Sequence, residues 1–360
     1  MRHDPLAVAL GSVLLALLPL GCAAPAGGTH AYNEAYSGEH LDRIAFPIGG
    51  IGAGMVCLEG TGALSHVSVR NRMDVFHEPL SFAALCVRAP DGNVARVLEG
   101  PVPGWKVFGG PNTGNGAGGT SWGLPRFDEA RFTARFPFAT VELDDAQVPL
   151  EVELVGWSPF VPGDADRSSL PVGALEYRFR NPGREPVEAV FSYHSRNFMA
   201  AGGRGSSVRS IEGGFVLSQA GSDEHPEHEG HYAVFVDQPG VVVDHCWFKG
   251  GWFDALTLVW RNVAEGLLVD NPPTGGATGA SLYLPLELGP GEERTVRLTL
   301  HSSDLAGWAL LPDGTGLIYL ARFEKGFDLW GHDFVEEKTS LLSKLGADRA
   351  DMILSEDGKS

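Results

Sequence analysis

The chain has 360 residues, of which 43% are hydrophobic, and its 27 basic and 45 acidic side chains give a formal net charge of −18. That hydrophobic fraction supports a large packed core and argues against a wholly disordered chain. Binding to nucleic acid depends on clustered Lys and Arg, so the acidic balance excludes nucleic acid as an expected partner.

The N-terminus has the pattern of an export signal. Arg2 precedes an uncharged apolar run over 6–20, which has the length of a signal-peptide core and is short for a membrane span. A small residue and Cys22 follow, as in a bacterial lipobox, where the cysteine is acylated. We expect a signal peptide over 1–21, lipidation at Cys22 and a tether over 22–40. The protein would then be a membrane-anchored lipoprotein facing the periplasm or exterior; a plain secretion signal or an uncleaved anchor are the alternatives.

A glycine-rich segment follows the tether: "FPIGGIGAGMVCLEGTGALSHVSVRNR", residues 46–72. Its spacing departs from a dinucleotide-binding loop, because Met55 stands where the third glycine is required, and it lacks the lysine of a P-loop. An apolar run, a Gly-Thr-Gly turn and a second apolar run predict a β-hairpin. We expect the glycines to permit tight backbone, with no phosphate and no cofactor bound.

The part of the chain over 41–302 has the pattern of strands and turns. Apolar and polar residues alternate in three segments, 148–157, 173–183 and 292–300. In the last, Val296, Leu298 and Leu300 fall on one face and Arg297 and Thr299 on the other. Period two with one polar face indicates antiparallel sheet. The predicted fold class is all-β: a large two-sheet antiparallel β-sandwich over 41–302, followed by a C-terminal α-helical segment.

Two tryptophans flank the Gly-rich loop at 109–123. Trp105 and Trp122 are candidate carbohydrate contacts, because an exposed indole can stack on the C–H face of a sugar. Burial in the core is the alternative, as for the other tryptophans of a large sandwich.

A histidine-containing acidic segment, "SDEHPEHEGH", carries His225, His228 and His231. Their spacing would bring three imidazoles to one ion on a helix, but Pro226 and Gly230 oppose a regular helix. We expect a solvated acidic loop and no metal, with these three histidines as the candidate ligands if one binds.

Cys57, Cys86 and Cys246 each lie in an apolar, strand-like run. Buried thiols that pack as small hydrophobes are expected, and one disulfide among the three is the alternative in an oxidising compartment. Motifs for an activated serine or a zinc protease are absent from the sequence, and sequence spacing does not place carboxylates such as Asp144 and Asp145 in a glycosidase pair, so no catalytic residue is predicted.

The C-terminus departs from the period-two pattern. Apolar and aromatic residues recur at spacings of three and four from Leu320 to Leu345, which predicts an amphipathic helix over 317–346. A connector over 303–316 would precede this helix, and a tail over 347–360 would follow it.

The segments 46–72, 123–183 and 284–300 resemble, in order, the N-terminal domain of glycoside hydrolase family 116. That family includes non-lysosomal glucosylceramidases, β-glucosidases and β-xylosidases. The resemblance implies a two-sheet sandwich that packs against an (α/α)6 catalytic barrel. The family's two catalytic carboxylates belong to that barrel, which we expect to be absent from this chain. The segments 65–72 and 301–316 depart from the family pattern.

Three functions follow from these observations. The first is a non-catalytic N-terminal domain of a β-glucosidase- or glucosylceramidase-like hydrolase, which would work with a separate helical catalytic domain or polypeptide. The second is a freestanding carbohydrate-binding lipoprotein, with a carbohydrate or glycolipid ligand and the membrane as partner through its lipid. The third is an enzyme whose site has no recognisable motif.

Overall fold

A computed structural model of the chain describes residues 31–70, 72–108, 120–201, 205–251, 254–303, 308–310, 316–323, 326–333 and 338–345, with side chains up to residue 302. The expected signal peptide, Cys22 and the tail over 347–360 lie outside these residues. The chain divides into two compact units, Met1–Glu34 and Ala35–Ser360, and the strands among the described residues belong to the second.

Strands dominate the second unit. In chain order they are β1 (Tyr36–Ser37), β2 (Ala45–Ile48), β3 (Met55–Glu59), β4 (Leu64–Ser68), β5 (Ser81–Arg88), β6 (Val94–Val97), β7 (Glu129–Arg135), β8 (Phe138–Asp144), β9 (Glu151–Trp157), β10 (Val172–Arg180), β11 (Val187–Arg196), β12 (Ser206–Ile211), β13 (Gly214–Gln219), β14 (Gly230–Val236), β15 (Val242–Asp244), β16 (Gly279–Leu288), β17 (Glu293–Ser303), β18 (Trp308–Leu310), β19 (Gly316–Phe323), β20 (Gly326–Asp333) and β21 (Lys338–Leu345).

The described residues form few helices. These are α1 (Gly104–Phe108), α2 (Ala165–Ser168), α3 (Ala255–Ala264) and two 3-10 turns, Gly38–Leu41 and Pro226–His228. None of these helices is long and apolar enough to cross a membrane.

The strands assemble into four sheets. A nine-stranded sheet has the order β1-β7-β8-β9-β10-β17-β14-β13-β12, and a five-stranded sheet has the order β15-β16-β11-β5-β6. A three-stranded sheet consists of β2-β3-β4, and a four-stranded sheet of β18-β19-β20-β21. Neighbouring strands pair antiparallel in all four sheets.

The main core lies between the two larger sheets, which confirms the predicted β-sandwich. Tyr177 and Phe179 of β10 contact Phe191 of β11, with ring centroids 5.1 and 6.1 Å apart. All three residues are at most 2% exposed. One continuous cluster of apolar side chains from both sheets and from β2–β4 surrounds them, as two sheets packed face to face require.

The alternation read from the sequence is confirmed in β17. Val296, Leu298 and Leu300 are buried, and the Arg297 guanidinium lies on the outer face, where it binds Glu176. In register, Val296 lies opposite Tyr177 and Leu298 opposite Leu175 of β10. Period-two patterning therefore placed the two central strands of the nine-stranded sheet correctly.

A helix covers the outer face of the five-stranded sheet, where the sequence predicted only strands and turns. Leu256, Val259 and Val263 of α3 pack with Phe82 and Cys86 of β5 in a second apolar cluster. Both faces of β5 are therefore buried, and seven of its eight residues are buried. The ten-residue helix is too short for its periodicity to be recognised without the sheet it covers.

The glycines of the segment 46–72 serve the backbone, as expected. Gly49, Gly52 and Gly54 have φ of 140°, 75° and 89°, a region that side chains disfavour. At Gly50 the backbone passes so close to Leu170 that a Cβ would collide with its carbonyl oxygen. The turn is tied down there, because the Ile51 N–H donates to Ser168 O at 2.7 Å.

The described residues over 317–346 form strands, so the predicted helix is wrong there. The backbone forms β19, β20 and β21, with Phe323 paired to Gly326 and Phe327 to Leu345 across successive antiparallel pairs. The expected connector over 303–316 contains β18, which pairs with β19. Gly326 and Gly331 each cost a helix about 1 kcal/mol relative to Ala, whereas in the meander Gly326 begins a strand. Spacings of three and four among so many apolar residues did not discriminate helix from strand.

Candidate functional site

A buried ion cluster lies where the end of β3, the connection between β4 and β5, and α1 meet. Lys106 of α1 places its Nζ 2.7 Å from Glu59 Oε2 and 2.9 Å from Glu78 Oε2. The side chains of Lys106 and Glu59 are only 5% and 9% exposed. One ammonium group therefore pairs with two carboxylates, of which Glu59 is buried and Glu78 is 26% exposed.

A second ion pair adjoins the first. The Arg126 guanidinium lies 3.2 Å from Glu99 Oε2, and these side chains are 6% and 8% exposed. Arg126 also donates to the carbonyl oxygens of Ser121 and Leu124. We refer to Glu59, Glu78, Glu99, Lys106 and Arg126 together as the ion cluster.

Burial and charge act against each other in the ion cluster. Desolvation lowers the pKa of Lys106, but the attraction of Glu59 and Glu78 outweighs it, so the pKa is raised above its usual value. For Glu99, burial raises the pKa more than Arg126 lowers it. Lys106 is therefore a permanent cation at neutral pH, with the role of pairing carboxylates.

Trp105 and Trp122, predicted as carbohydrate contacts, both border the ion cluster. Trp105 is 37% exposed, and its indole N–H donates to Asp42 O at 2.9 Å. The Arg43 guanidinium and Lys106 Nζ lie 5.3 and 5.8 Å from its ring centroid. The Trp105 ring therefore already makes cation–π contacts with these two side chains of the same chain.

Trp122 is half-buried, and its indole N–H donates to Glu78 Oε1 at 3.3 Å. The crevice beside it, lined also by Glu78 and Glu99, has a volume of ≈20 Å³. That space holds about one water molecule, so a sugar ring does not fit between Trp122 and these carboxylates.

Glu59 and Glu78 are close enough for one ammonium to bridge them, and retaining glycosidases also place two carboxyl groups about 5–5.5 Å apart. A working pair needs one protonated acid and one free nucleophile with a sugar between them. Here both carboxylates are held by Lys106 at 2.9 Å or less. The cluster therefore suits a structural role, joining three segments of the sandwich.

A surface groove of ≈810 Å³ lies on the outer face of the nine-stranded sheet. Its lining side chains form cross-strand ion pairs between β7 and β8 and between β9 and β10. The pairs are Arg131–Glu142 at 3.0 Å, Arg178–Glu153 at 2.8 Å and Arg180–Glu151 at 2.7 Å. The groove thus presents guanidinium donors and carboxylate acceptors side by side, in a volume typical of small-ligand sites.

The histidine-containing segment folds into a 3-10 turn at Pro226–His228. His225 and His228 come together with Glu227, and one ligand atom from each lies within 4.8 Å of the others. His231, the third candidate from the sequence, lies in β14 with its Nδ1 3.3 Å from Arg209 Nη2, outside this group. A backbone hydrogen bond and the hydrogen bond with His225 lower the pKa of Glu227.

A buried Ser–His arrangement lies in the five-stranded sheet. The ring nitrogens of His194 lie 2.9 Å from Ser192 Oγ and 2.8 Å from Ser281 Oγ. All three residues are at most 1% exposed, and burial lowers the pKa of His194 to about 3. No substrate reaches these hydroxyls, so the arrangement serves packing.

The three described cysteines are free thiols. Cys57 and Cys86 are buried, as expected, and Cys246 is half-buried. Burial raises the pKa of the Cys57 thiol to about 11, so this thiol is inert at neutral pH.

The ion cluster was not predicted from the sequence. Lys106 and Glu59 are 47 residues apart, and Arg126 and Glu99 are 27 apart. The available signal was a glutamate at the end of the apolar run "MVCLE", since a charge there needs a buried partner.

A family model described as "beta-glucosidase 2, glycosyl-hydrolase family 116 N-term" matches residues 45–303, from the first residue of β2 to the last of β17. The chain belongs to the family of glycoside hydrolase 116 N-terminal domains. It therefore carries a glycoside-hydrolase-related domain, which confirms the resemblance read from the sequence. No curated protein matches the chain.

Two solved structures show distant similarity to this family 116 domain. A polysaccharide lyase is 12% identical to this chain with a TM-score of 0.33, and the matched region covers 84% of this chain and 38% of the lyase. A protein named "Putative kojibiose phosphorylase from human microbiome" is 7% identical with a TM-score of 0.29, and the matched region covers 76% of this chain and 26% of that protein. The chain thus spans well under half the length of either protein.

Proposed function

We propose that this chain provides the non-catalytic N-terminal sandwich of a β-glucosidase- or glucosylceramidase-like hydrolase, whose catalytic groups lie on a separate helical domain. The match to the family 116 N-terminal domain over residues 45–303 carries this proposal. The ion cluster supports it, because Lys106 forms ion pairs with the closely spaced carboxylates Glu59 and Glu78, which are therefore not available as a catalytic pair.

The test is hydrolysis of an aryl β-glucoside by the purified full chain, alone and mixed with a helical catalytic domain of the same family. The chain alone should show no turnover above the uncatalysed rate. Glu59→Gln and Glu78→Gln are the decisive variants. Activity that persists through purification and disappears in either variant would show that the ion cluster is catalytic and would refute the proposal.

Export and lipid anchoring at Cys22 belong to the same proposal, and the apolar run over 6–20 supports them. Labelling with a radioactive fatty acid should mark the wild-type chain and a Cys246→Ser control, and Cys22→Ser should remove the label. A Cys22→Ser variant that keeps the label would refute lipidation, and unprocessed chain in the cytosol would refute export.

A second candidate function is carbohydrate binding, which the groove on the nine-stranded sheet favours. Paired Arg and Glu side chains can donate to and accept from neighbouring sugar hydroxyls. A glycan array should be probed with the wild type, Arg178→Ala and the double variant Trp105→Ala/Trp122→Ala. Loss of binding with Arg178→Ala alone assigns the groove, loss with the double variant alone assigns the tryptophans, and no binding by the wild type refutes this function.

A further inference from the structure

The 3-10 turn at Pro226–His228 brings two imidazoles and a carboxylate to one point on the surface. We propose that His225, Glu227 and His228 bind a divalent transition-metal ion, of which Zn²⁺ fits best. This site is separate from the ion cluster and from the sheet groove, and it does not depend on the proposed hydrolase function.

The distances suit one small ion. His225 Nδ1 lies 3.0 Å from Glu227 Oε1, and His228 Nε2 lies 3.8 Å from the same oxygen. Zinc binds nitrogen and oxygen ligands at about 2.0–2.2 Å, so tetrahedral geometry places ligand atoms about 3.4 Å apart. The three ligand atoms already lie within 4.8 Å of one another, and rotation about the side-chain bonds would have to supply the remaining approach.

The backbone holds the ligands in place before any ion binds. Pro226 is the first residue of the turn, and the His228 N–H donates to His225 O at 3.2 Å. Arg70 ties the turn to the sandwich, because its Nη1 donates to His228 O at 2.8 Å and to Met199 O at 2.9 Å. The two imidazole rings stack with centroids 4.7 Å apart and an interplanar angle of 18°, so one ring must rotate out of the stack before both rings direct a nitrogen at a single ion. The tethered backbone of the turn lowers the ordering cost of binding.

The donor set selects the ion. Imidazole nitrogen with one carboxylate suits zinc and its neighbours, whereas calcium and magnesium prefer all-oxygen sites. The side chains of His225 and Glu227 are 57% and 65% exposed, so water can complete the coordination. Exposed carboxylates nearby, at Asp223 and Glu224, favour the approach of a cation.

The structure distinguishes this site from the one suggested by sequence spacing. The evenly spaced trio His225, His228 and His231 would place its third ligand in β14. His231 Nδ1 instead faces the Arg209 guanidinium at 3.3 Å, which is unfavourable beside a cation. Glu227 takes the third position, and His231 becomes a matched control.

The experiment is calorimetric titration of ZnCl₂ into the full chain, produced without an affinity tag and stripped with a chelator. Wild type and His231→Ala should bind one Zn²⁺ with the same affinity at this site. His225→Ala, His228→Ala and Glu227→Gln should each weaken that affinity by at least about tenfold, the minimum seen even for residues that only support a ligand. Circular dichroism of each metal-free variant controls for folding.

Two results would overturn the site. One is equal Zn²⁺ affinity in wild type, His225→Ala and His228→Ala. The other is equal loss in His231→Ala and His225→Ala, which would favour the trio of histidines. Should a variant fail to fold, diethylpyrocarbonate modification of the wild type decides instead, because bound Zn²⁺ should slow the modification of His225 and His228 and leave the rate at His231 unchanged.

Discussion

Removing the Lys106 ammonium should destabilise the sandwich more than removing any exposed arginine. Lys106→Met keeps an apolar stem of similar length and deletes the charge shared by Glu59 and Glu78. The Glu59 side chain, 9% exposed, is then left as a buried carboxylate without its cation. Breaking a buried pair in this way costs about 3–5 kcal/mol.

The matched control is Arg131→Met, which breaks an ion pair whose side chains are 49% and 52% exposed. Pairs this exposed contribute about 0–1 kcal/mol. In a domain of this size 1 kcal/mol shifts the melting temperature by about 2–4 °C. Lys106→Met should therefore lower it by roughly 6–20 °C, and Arg131→Met by no more than about 4 °C.

Thermal and urea unfolding at pH 7, followed by circular dichroism, measure both effects. Because the pKa of Lys106 is raised in the folded state, its stabilisation is fully present at pH 7 and is lost only as the pH rises through the folded-state pKa. The double variant Glu59→Gln/Lys106→Met removes the unpaired charge and should recover part of the loss. Equal melting temperatures for Lys106→Met and Arg131→Met would refute this account of the ion cluster.

Three further predictions concern buried groups elsewhere in the sandwich. Burial lowers the pKa of His194 to about 3, so the stability that neutral His194 contributes is present above pH 6.5 and is lost as the pH falls towards 3. Between pH 6 and 4, the free energy of unfolding in urea should rise with pH about 1.4 kcal/mol per pH unit less steeply in His194→Asn than in wild type. Equal slopes in the two proteins would contradict this. Gly50→Ala should cost about 2–3 kcal/mol because its Cβ meets the Leu170 carbonyl, whereas Gly52→Ala has open space and should cost about 1–2 kcal/mol for its positive φ; the reverse order in urea unfolding would show that the turn is not packed as described. In a Cys22→Ser background, the half-buried Cys246 should react with a thiol reagent at pH 8 before the buried Cys57, whose pKa is raised to about 11, so adding Cys246→Ser should remove the fast phase, and a fast phase that remains would contradict the assigned burial.

The sequence by itself determined the sandwich and the family. Alternation over 292–300 placed Val296, Leu298 and Leu300 inward, and their burial confirms it. Such patterns can be recognised because successive side chains of a strand point to opposite faces, so a strand with one buried face has apolar residues at every second position. The glycine spacing at 46–72 likewise predicted a tight backbone, which the positive φ of Gly49, Gly52 and Gly54 confirms, because that requirement is local.

Only the tertiary structure decided the ion cluster, whereas the proposed metal-binding turn depends on a local bend that the helical spacing did not predict. Lys106 meets Glu59 and Glu78 through contacts between segments far apart in the chain, and no local period encodes such a meeting. Glu227, and not the predicted ligand His231, lies beside His225, because Pro226 begins a 3-10 turn that the helical spacing of the histidines does not predict.

The helix α3 and the strands β19–β21 show the same limit in secondary structure. A ten-residue amphipathic helix is recognisable once the five-stranded sheet offers its outer face, and α3 buries Leu256, Val259 and Val263 there. Over 316–345 the apolar residues satisfy both periods, so pairing between β19, β20 and β21 decided the backbone. Local patterns specify which faces are apolar, and the choice among structures that bury them rests on partners distant in the sequence.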